Sequence, residues 1–325
     1  MKDPVLVIGG SGKVGRYFAK AFRKLQPKQP IAIGGRDLAK AKAAAEESDL
    51  AEAVRVDLAR SDLGLPEGKK YSAVVVLLKD DTLNTMKYAQ ANGLPYVSFS
   101  DWFFDIGPEV ALYVHAPKRA PVLFLGHAHG GTVTLATLHF AREFRTIESI
   151  DIGVVADERD SGGPAAKVDM DRLGGAVSRP PILKNGQWLW AGEDDANRRF
   201  TGADGREWQG RALPLLDVAS LAAATDAKSV RIDYALRAGD GLSHESILEI
   251  AGTKKDGSTG RFRYALVDAV SHSETSARGV AFAVERLLGL AGGPEVAAGL
   301  YHPESLLDPG YVVERMQEFG TRIER

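Results

Sequence analysis

Six residues near the start of the chain, Gly10-Ser11-Gly12-Lys13-Val14-Gly15, constrain the fold more than any other stretch. Glycines at this spacing allow a tight turn, close approach of backbone to a bound group, and close packing of a following helix. A glycine triad alone also suits an ordinary turn, so its surroundings decide. Val5-Leu6-Val7-Ile8 precedes it, a continuous apolar run of the kind expected of a strand buried on both faces. After it, Val14, Phe18, Ala21, Phe22 and Leu25 recur at helical spacing. Strand, glycine turn and helix together make a cradle in which a helix N-terminus meets a pyrophosphate. Gly10, Ser11, Gly12, Lys13, Val14 and Gly15 are therefore candidate dinucleotide contacts. A mononucleotide P-loop is excluded, because its lysine must be followed by Ser or Thr to hold magnesium and Lys13 is followed by Val14.

The pattern then repeats. Residues 31–33, 53–57, 73–78, 95–99 and 121–125 read as further short strands, separated by stretches with helical character such as the Ala- and Lys-rich residues 37–47. Asp80 or Asp81 suits the cap of one of these helices, and Gly93 its stop. Alternation of this kind predicts an α/β fold, a doubly wound parallel sheet of Rossmann type over residues 1–126.

The end of the second strand bears on which dinucleotide fits. NAD sites usually place an acid there for the ribose 2′-hydroxyl, whereas this chain has Gly34-Gly35-Arg36. Gly35 leaves room for a phosphate, and Arg36 offers the planar donor fork that matches one, which points to NADP. Asp37 next to it weighs the other way unless it caps the following helix. Asp57 at the end of the third strand is a candidate adenine contact, with a turn cap as the alternative. Leu77 and Leu78, at the carboxyl end of the fourth, are candidates for lining the ribose or nicotinamide region. Lys79 reads as a surface lysine, with a phosphate or substrate contact as the alternative.

From about residue 127 the rhythm changes. Ile150 and Ile152 alternate on one strand, as do Val230, Ile232 and Tyr234 on another; residues 247–251 and 261–267 flank the hairpin signal Lys254-Lys255-Asp256-Gly257. Residues 127–272 thus read as a second α/β domain on a mixed or antiparallel sheet, whose flat face suits a dimer interface. Residues 157–179 read as a polar loop.

The chain resembles the saccharopine dehydrogenase-like oxidoreductases in VLVIGGSGKVG, GGRDLAKA, PVLFLGHAHGGTVTLATLHFAREF, SIDIGVV, ETSARGVAFAVERLLG and YHPESLLDP. The resemblance implies an NADP-binding Rossmann domain, an inserted substrate domain, and a C-terminal segment, here residues 273–325, that returns to the first domain. It also implies chemistry at carbon–nitrogen bonds. One stretch departs from the pattern: where the family commonly carries Gly-x-x-Pro-Gly, this chain has Gly126-His127-Ala128-His129-Gly130-Gly131-Thr132.

Composition narrows the chemistry. Without cysteine there is no thiol nucleophile, disulfide or thiolate metal site, and a net charge of −2 selects neither nucleic acid nor an anionic membrane. No signal peptide or spanning stretch is apparent, so a cytoplasmic location is expected. Hydride transfer to C=O or C=N needs a group that titrates near neutrality, and His127 and His129 are the candidates. No metal site is expected, since no third ligand stands at suitable spacing, and His115, His139, His244, His272 and His302 have no constellation around them in sequence. The expected protein is a homodimeric NADP-dependent oxidoreductase acting on a C=N or C=O bond of a small polar metabolite. A C=C reductase and a non-catalytic NADP(H) sensor are the alternatives.

Overall fold

The computed structural model describes residues 2–160, 162–176, 179–239 and 243–325. In chain order the first elements are β1 (Val5–Ile8), α1 (Lys13–Leu25), β2 (Ile31–Gly35), α2 (Leu38–Ala45), β3 (Ala51–Arg55), β4 (Ala73–Val76), α3 (Asn84–Ala91), β5 (Tyr96–Ser98), α4 (Gly107–Val114) and β6 (Pro121–Phe124). After a short 3₁₀ turn at Ala128–Gly131 come α5 (Thr132–Ala141), β7 (Phe144–Asp157), α6 (Pro164–Ala176), β8 (Pro181–Lys184), β9 (Gln187–Trp190), β10 (Asn197–Thr201), β11 (Glu207–Ala212) and α7 (Asp217–Ala224). The chain closes with β12 (Ser229–Arg237), β13 (His244–Lys254), β14 (Thr259–Asp268), α8 (His272–Leu287), β15 (Gly299–Tyr301), α9 (Pro309–Glu318) and β16 (Arg322–Glu324).

Two units result. One comprises residues 1–126, 162–169 and 276–307, the other residues 127–161, 170–275 and 308–325. The first is built on a seven-stranded parallel sheet in the order β15-β6-β5-β4-β1-β2-β3. β1 lies between β4 and β2, so the chain reverses its direction of progress across the sheet there, and the carboxyl ends of these strands flank the crevice where such folds take ligands. The apolar runs are buried as two-sided strands require: Val5, Leu6 and Val7 on β1 and Val74 and Val75 on β4 are fully buried.

The second unit is built on a nine-stranded sheet, order β10-β11-β12-β7-β13-β14-β16, with the β8–β9 hairpin attached to β12. It is mixed, because β7 and β12 run parallel and their neighbours antiparallel. Val230 faces Ile150, Ile232 faces Ile152 and Tyr234 faces Val154 in register, which puts the alternating apolar residues of both strands on one buried face.

Two expectations are corrected here. The tail does not return to the first unit as a whole: β15 extends the parallel sheet beside β6, but β16 pairs with β14, and α9 packs with α5, so residues 308–325 belong to the second unit. Residues 157–179 are not all loop, since Pro164 starts α6 and Ala165 and Ala166 favour it; the Gly174-Gly175 pair near its end hid the helix. Residues 161, 177 and 178 of that stretch lie outside the described residues. Among the described residues, no helix is long and apolar enough to cross a membrane.

Close contact of α1 with the turn before it requires glycine at two points. A Cβ on Gly15 would overlap the Gly10 backbone, and one on Gly10 would come within 2.8 Å of the Val7 carbonyl oxygen. Gly35, by contrast, has only the Ser11 hydroxyl near its would-be Cβ, at 3.6 Å. Gly15→Ala is expected to destabilise the protein by about 1–3 kcal/mol in denaturant unfolding, and Gly35→Ala by roughly 0.5 kcal/mol or less. Equal losses from the two would show that the α1 contact is not tight.

Candidate functional site

The turn entering α1 is shaped for an anion. Gly9 has φ +81°, Gly12 is the N-cap without a side-chain cap, and the first turn of α1 contains no acid. The helix therefore presents free N–H groups and the positive end of its dipole with no compensating group on its own side chains. Lys13 and Val14 are its first two residues, and Arg16 steadies the loop by donating from Nε to the Ser11 carbonyl at 3.2 Å.

The other expected cofactor residues gather at the same sheet edge. A Cβ on Gly9 would touch Leu78 Cδ2 at 3.3 Å, so Leu77 and Leu78 stand against the start of the glycine turn, with Leu77 buried. Ser11 faces Gly35 at the end of β2, and exposed Arg36 follows. Asp37 is occupied as the N-cap of α2, accepting from the Ala39 and Lys40 amides at 3.0 and 3.1 Å. Asp57 is exposed and caps the turn after β3 by accepting from the Ala59 amide at 3.0 Å. A cradle that two Cβ atoms would fill, a bare helix N-terminus and an open β2 end fit a dinucleotide: Gly10, Ser11, Gly12 and the α1 N-terminus for its pyrophosphate, Gly35 and Arg36 for its ribose end.

Lys79 overturns its reading as a surface lysine. Its side chain is 11% exposed, and Nζ donates to Asp101 at 2.9 Å and to Glu109 at 2.7 Å. Asp101 also accepts from the Ser98 hydroxyl, and the backbone of Gly126 is pressed against the Asp101 carbonyl so closely that no Cβ fits. Burial pushes the Lys79 ammonium down, but the two carboxylates outweigh it and hold it above its ordinary value. Glu109, the buried residue of α4, is pushed up by burial and by Asp101, and its Oε2 has no hydrogen-bond partner among the described residues. This cluster of one cation and two acids sits just beyond the carboxyl ends of β4 and β5. The sequence signals only its parts, because Lys79, Asp101 and Glu109 are far apart along the chain.

The two histidines of the second unit part company. His127 is buried with Nε2 2.8 Å from the Ser220 hydroxyl on α7. Beside it, Asp217 accepts from the Ala128 amide at 2.8 Å and from the Thr134 hydroxyl at 2.6 Å, tying the turn to α7 and α5. His129 has φ +50°, a left-handed conformation uncommon for a residue with a side chain. It turns to meet His244, with ring centroids 4.3 Å apart. The expectation that His244 and His272 lack a constellation is thus corrected. His244 Nδ1 donates to the Val270 carbonyl at 2.9 Å and Nε2 lies 3.7 Å from Asp268, while His272 Nδ1 pairs with Asp160 at 2.8 Å. Burial, and then the other histidines, hold His129 well below its ordinary value, so it is neutral at pH 7; its Nε2 is buried without a hydrogen-bond partner among the described residues. Among the described residues, no group of His or acidic side chains is arranged to hold a metal ion.

No protein-family model and no curated protein sequence matches the chain. Solved structures share the fold. Apo saccharopine dehydrogenase (L-Glu forming) from Saccharomyces cerevisiae superposes with a TM-score of 0.67 over 99% of both chains at 14% identity. An amine dehydrogenase from Mycobacterium smegmatis does so with a TM-score of 0.60 over 94% of this chain and 96% of its own, at 13% identity. GenD2 from gentamicin A biosynthesis, in complex with NAD, gives 0.50 over 100% and 97% at 14% identity. The chain therefore has the fold of these dehydrogenases.

Burial raises the Asp217 carboxyl to about 6, with the bonds from Thr134 and Ala128 working against it. A group raised on folding contributes its stability at low pH and loses it as pH climbs through the folded value. A difference of this size between folded and unfolded chains corresponds to roughly 3 kcal/mol. Relative to Asp217→Asn, which does not titrate, the wild type should therefore lose stability between pH 4 and pH 7. Urea unfolding of both proteins at pH 4, 5.5 and 7 reads this directly, and parallel profiles would rule it out.

Proposed function

We propose that this chain is an NADP-dependent oxidoreductase that moves a hydride between the nicotinamide and a C=N or C=O bond of a small polar metabolite. The observation that carries the reading is the α1 entry, where Gly10 and Gly15 allow backbone-to-backbone contact and leave an uncapped helix N-terminus at the reversal point of a parallel sheet. The saccharopine and amine dehydrogenases that share the fold support a carbon–nitrogen substrate, and the NAD complex of GenD2 supports a nicotinamide dinucleotide.

Preference for the 2′-phosphorylated form rests on Arg36. The acid beside it is engaged in capping α2, so it does not take the place of a ribose 2′-hydroxyl acceptor at the strand end. A bound nicotinamide supplies the hydride. The chain's own residues supply charge and protons. Lys79 keeps a positive charge at the carboxyl edge of the parallel sheet, and Glu109 holds a proton more readily than an exposed carboxylate. We assign proton transfer to His129, neutral and carrying an unused Nε2, and a positioning role to His127 through Ser220.

Titration with NADPH and NADH, followed by cofactor fluorescence, tests the cofactor. Wild type is expected to favour NADPH, and Arg36→Ala to lose about ten- to a hundredfold of that affinity while leaving NADH unchanged. Failure to bind either cofactor would overturn the reading. With a substrate found by screening imines and carbonyls against NADPH oxidation, His129→Gln should lower kcat by about 10²–10⁴ with NADPH affinity retained. His127→Gln should cost less, and an unchanged kcat in His129→Gln would remove that histidine from the chemistry.

A further inference from the structure

The second unit contains a cavity of about 510 Å³ that none of the candidate site residues described above lines. Part of its lining comes from adjacent strands of the mixed sheet: Arg231 on β12 is in register with Asp151 on β7, and Asp151 with Glu249 on β13. Lys184 of β8, Arg198 and Arg199 of β10 and Arg261 of β14 complete a ring of five basic side chains against three acids, the third being Asp195.

Each of these acids is already committed. Asp151 pairs with Arg261, Asp195 with Lys184 and Glu249 with Arg198, all at 2.7 Å. Asp233, on the same strand as Arg231, accepts from Arg231 at 2.5 Å and from Arg198 at 2.8 Å. Four carboxylates are thus consumed by four of the basic residues, and one positive charge is left over. It falls on Arg199, an exposed side chain that has no ion pair among the described residues. Arg198 adds a second shortfall, because its side chain is 16% exposed and Nη2 has no hydrogen-bond acceptor among the described residues. A buried donor left unpaired is costly, and a surplus cation beside it favours an anion. Ile182, Leu183 and Val230 give the cavity an apolar wall, and its volume lies in the range of small-molecule sites.

We propose that this cavity binds a small organic acid, with carboxylate or phosphate as its charged group, held by Arg198 and Arg199 against the apolar wall. It is a site separate from the glycine cradle and does not depend on the cofactor assignment. Isothermal titration at constant ionic strength with malonate, inorganic phosphate and uncharged malonamide tests it. Saturable binding of at least one anion, with none of malonamide, is expected. Malonate alone identifies a carboxylate ligand, phosphate alone a phosphorylated one, and both together a site that reads charge only. Arg199→Ala, a surface substitution that leaves the sheet intact, should weaken the anion about tenfold or more, and Arg198→Lys, which keeps the charge but loses the fork, should weaken it as well. Absence of saturable binding, wild-type affinity in Arg199→Ala, equal binding of malonamide, or displacement of the anion by NADPH would each overturn the proposal.

Discussion

The contact between the Gly10 and Gly15 backbones is what the first unit depends on. It lets α1 lie against the strand–turn junction with no side chain between them, and so fixes both the helix's distance from the sheet and the aim of its N-terminus. Any side chain at Gly15 would push the helix out and carry its free N–H groups away from the carboxyl end of β1. Leu77 and Leu78 then become the floor of the turn because β4 is paired with β1 along Val5–Ile8. A packing requirement that looks purely structural thereby sets the place and polarity of the anion cradle. The left-handed backbone at Gly9 completes it, since the turn must reverse within a few residues of the strand end.

The buried charges of the protein divide by how they are compensated. Lys79 is held charged by two carboxylates at hydrogen-bond distance, an arrangement that replaces the solvation it has lost. Glu109, the second acid on the same lysine, cannot be equally well served and shifts toward its neutral form. His129 has no countercharge in contact and faces other histidines, so its response is to stay neutral. Asp217 lies between these cases, for two hydrogen bonds favour its charge but do not overcome complete burial. Compensation is incomplete at Glu109 and His129, and that distinguishes them from the saturated Lys79.

What was legible in the sequence was local. The apolar runs, the glycine triad and the alternation in β7 and β12 each involve residues within a few positions of one another, and their period survives in a single string of letters. Six strands of the parallel sheet and the gathering of Gly35, Leu77 and Leu78 at one edge follow from that pattern once parallel pairing is assumed. The clusters were not legible, because His129 meets His244 and Lys79 meets Asp101 and Glu109 only after strands distant in sequence are paired. His244 gave no signal of its own, since its histidine neighbours arrive from the 3₁₀ turn and the start of α8. The division of the tail was hidden for the same reason: three residues at β16 and three at β15 are too short to reveal by periodicity which sheet they will extend.

The Gly35-Arg36-Asp37 segment shows how one stretch can satisfy fold and recognition together. A helix starting directly after a strand needs an N-cap, and Asp37 meets that need with two backbone amides. An acid so employed at the helix start is one position past Arg36, and its carboxylate is directed at α2 rather than left to repel a phosphate. Gly35 keeps the strand end open beside Ser11, and the guanidinium of Arg36 is exposed. Placed at the helix start, the acid stabilises the helix that carries Lys40 in its first turn. Where the helix cap falls relative to the strand end thus decides where the charge of Asp37 is directed.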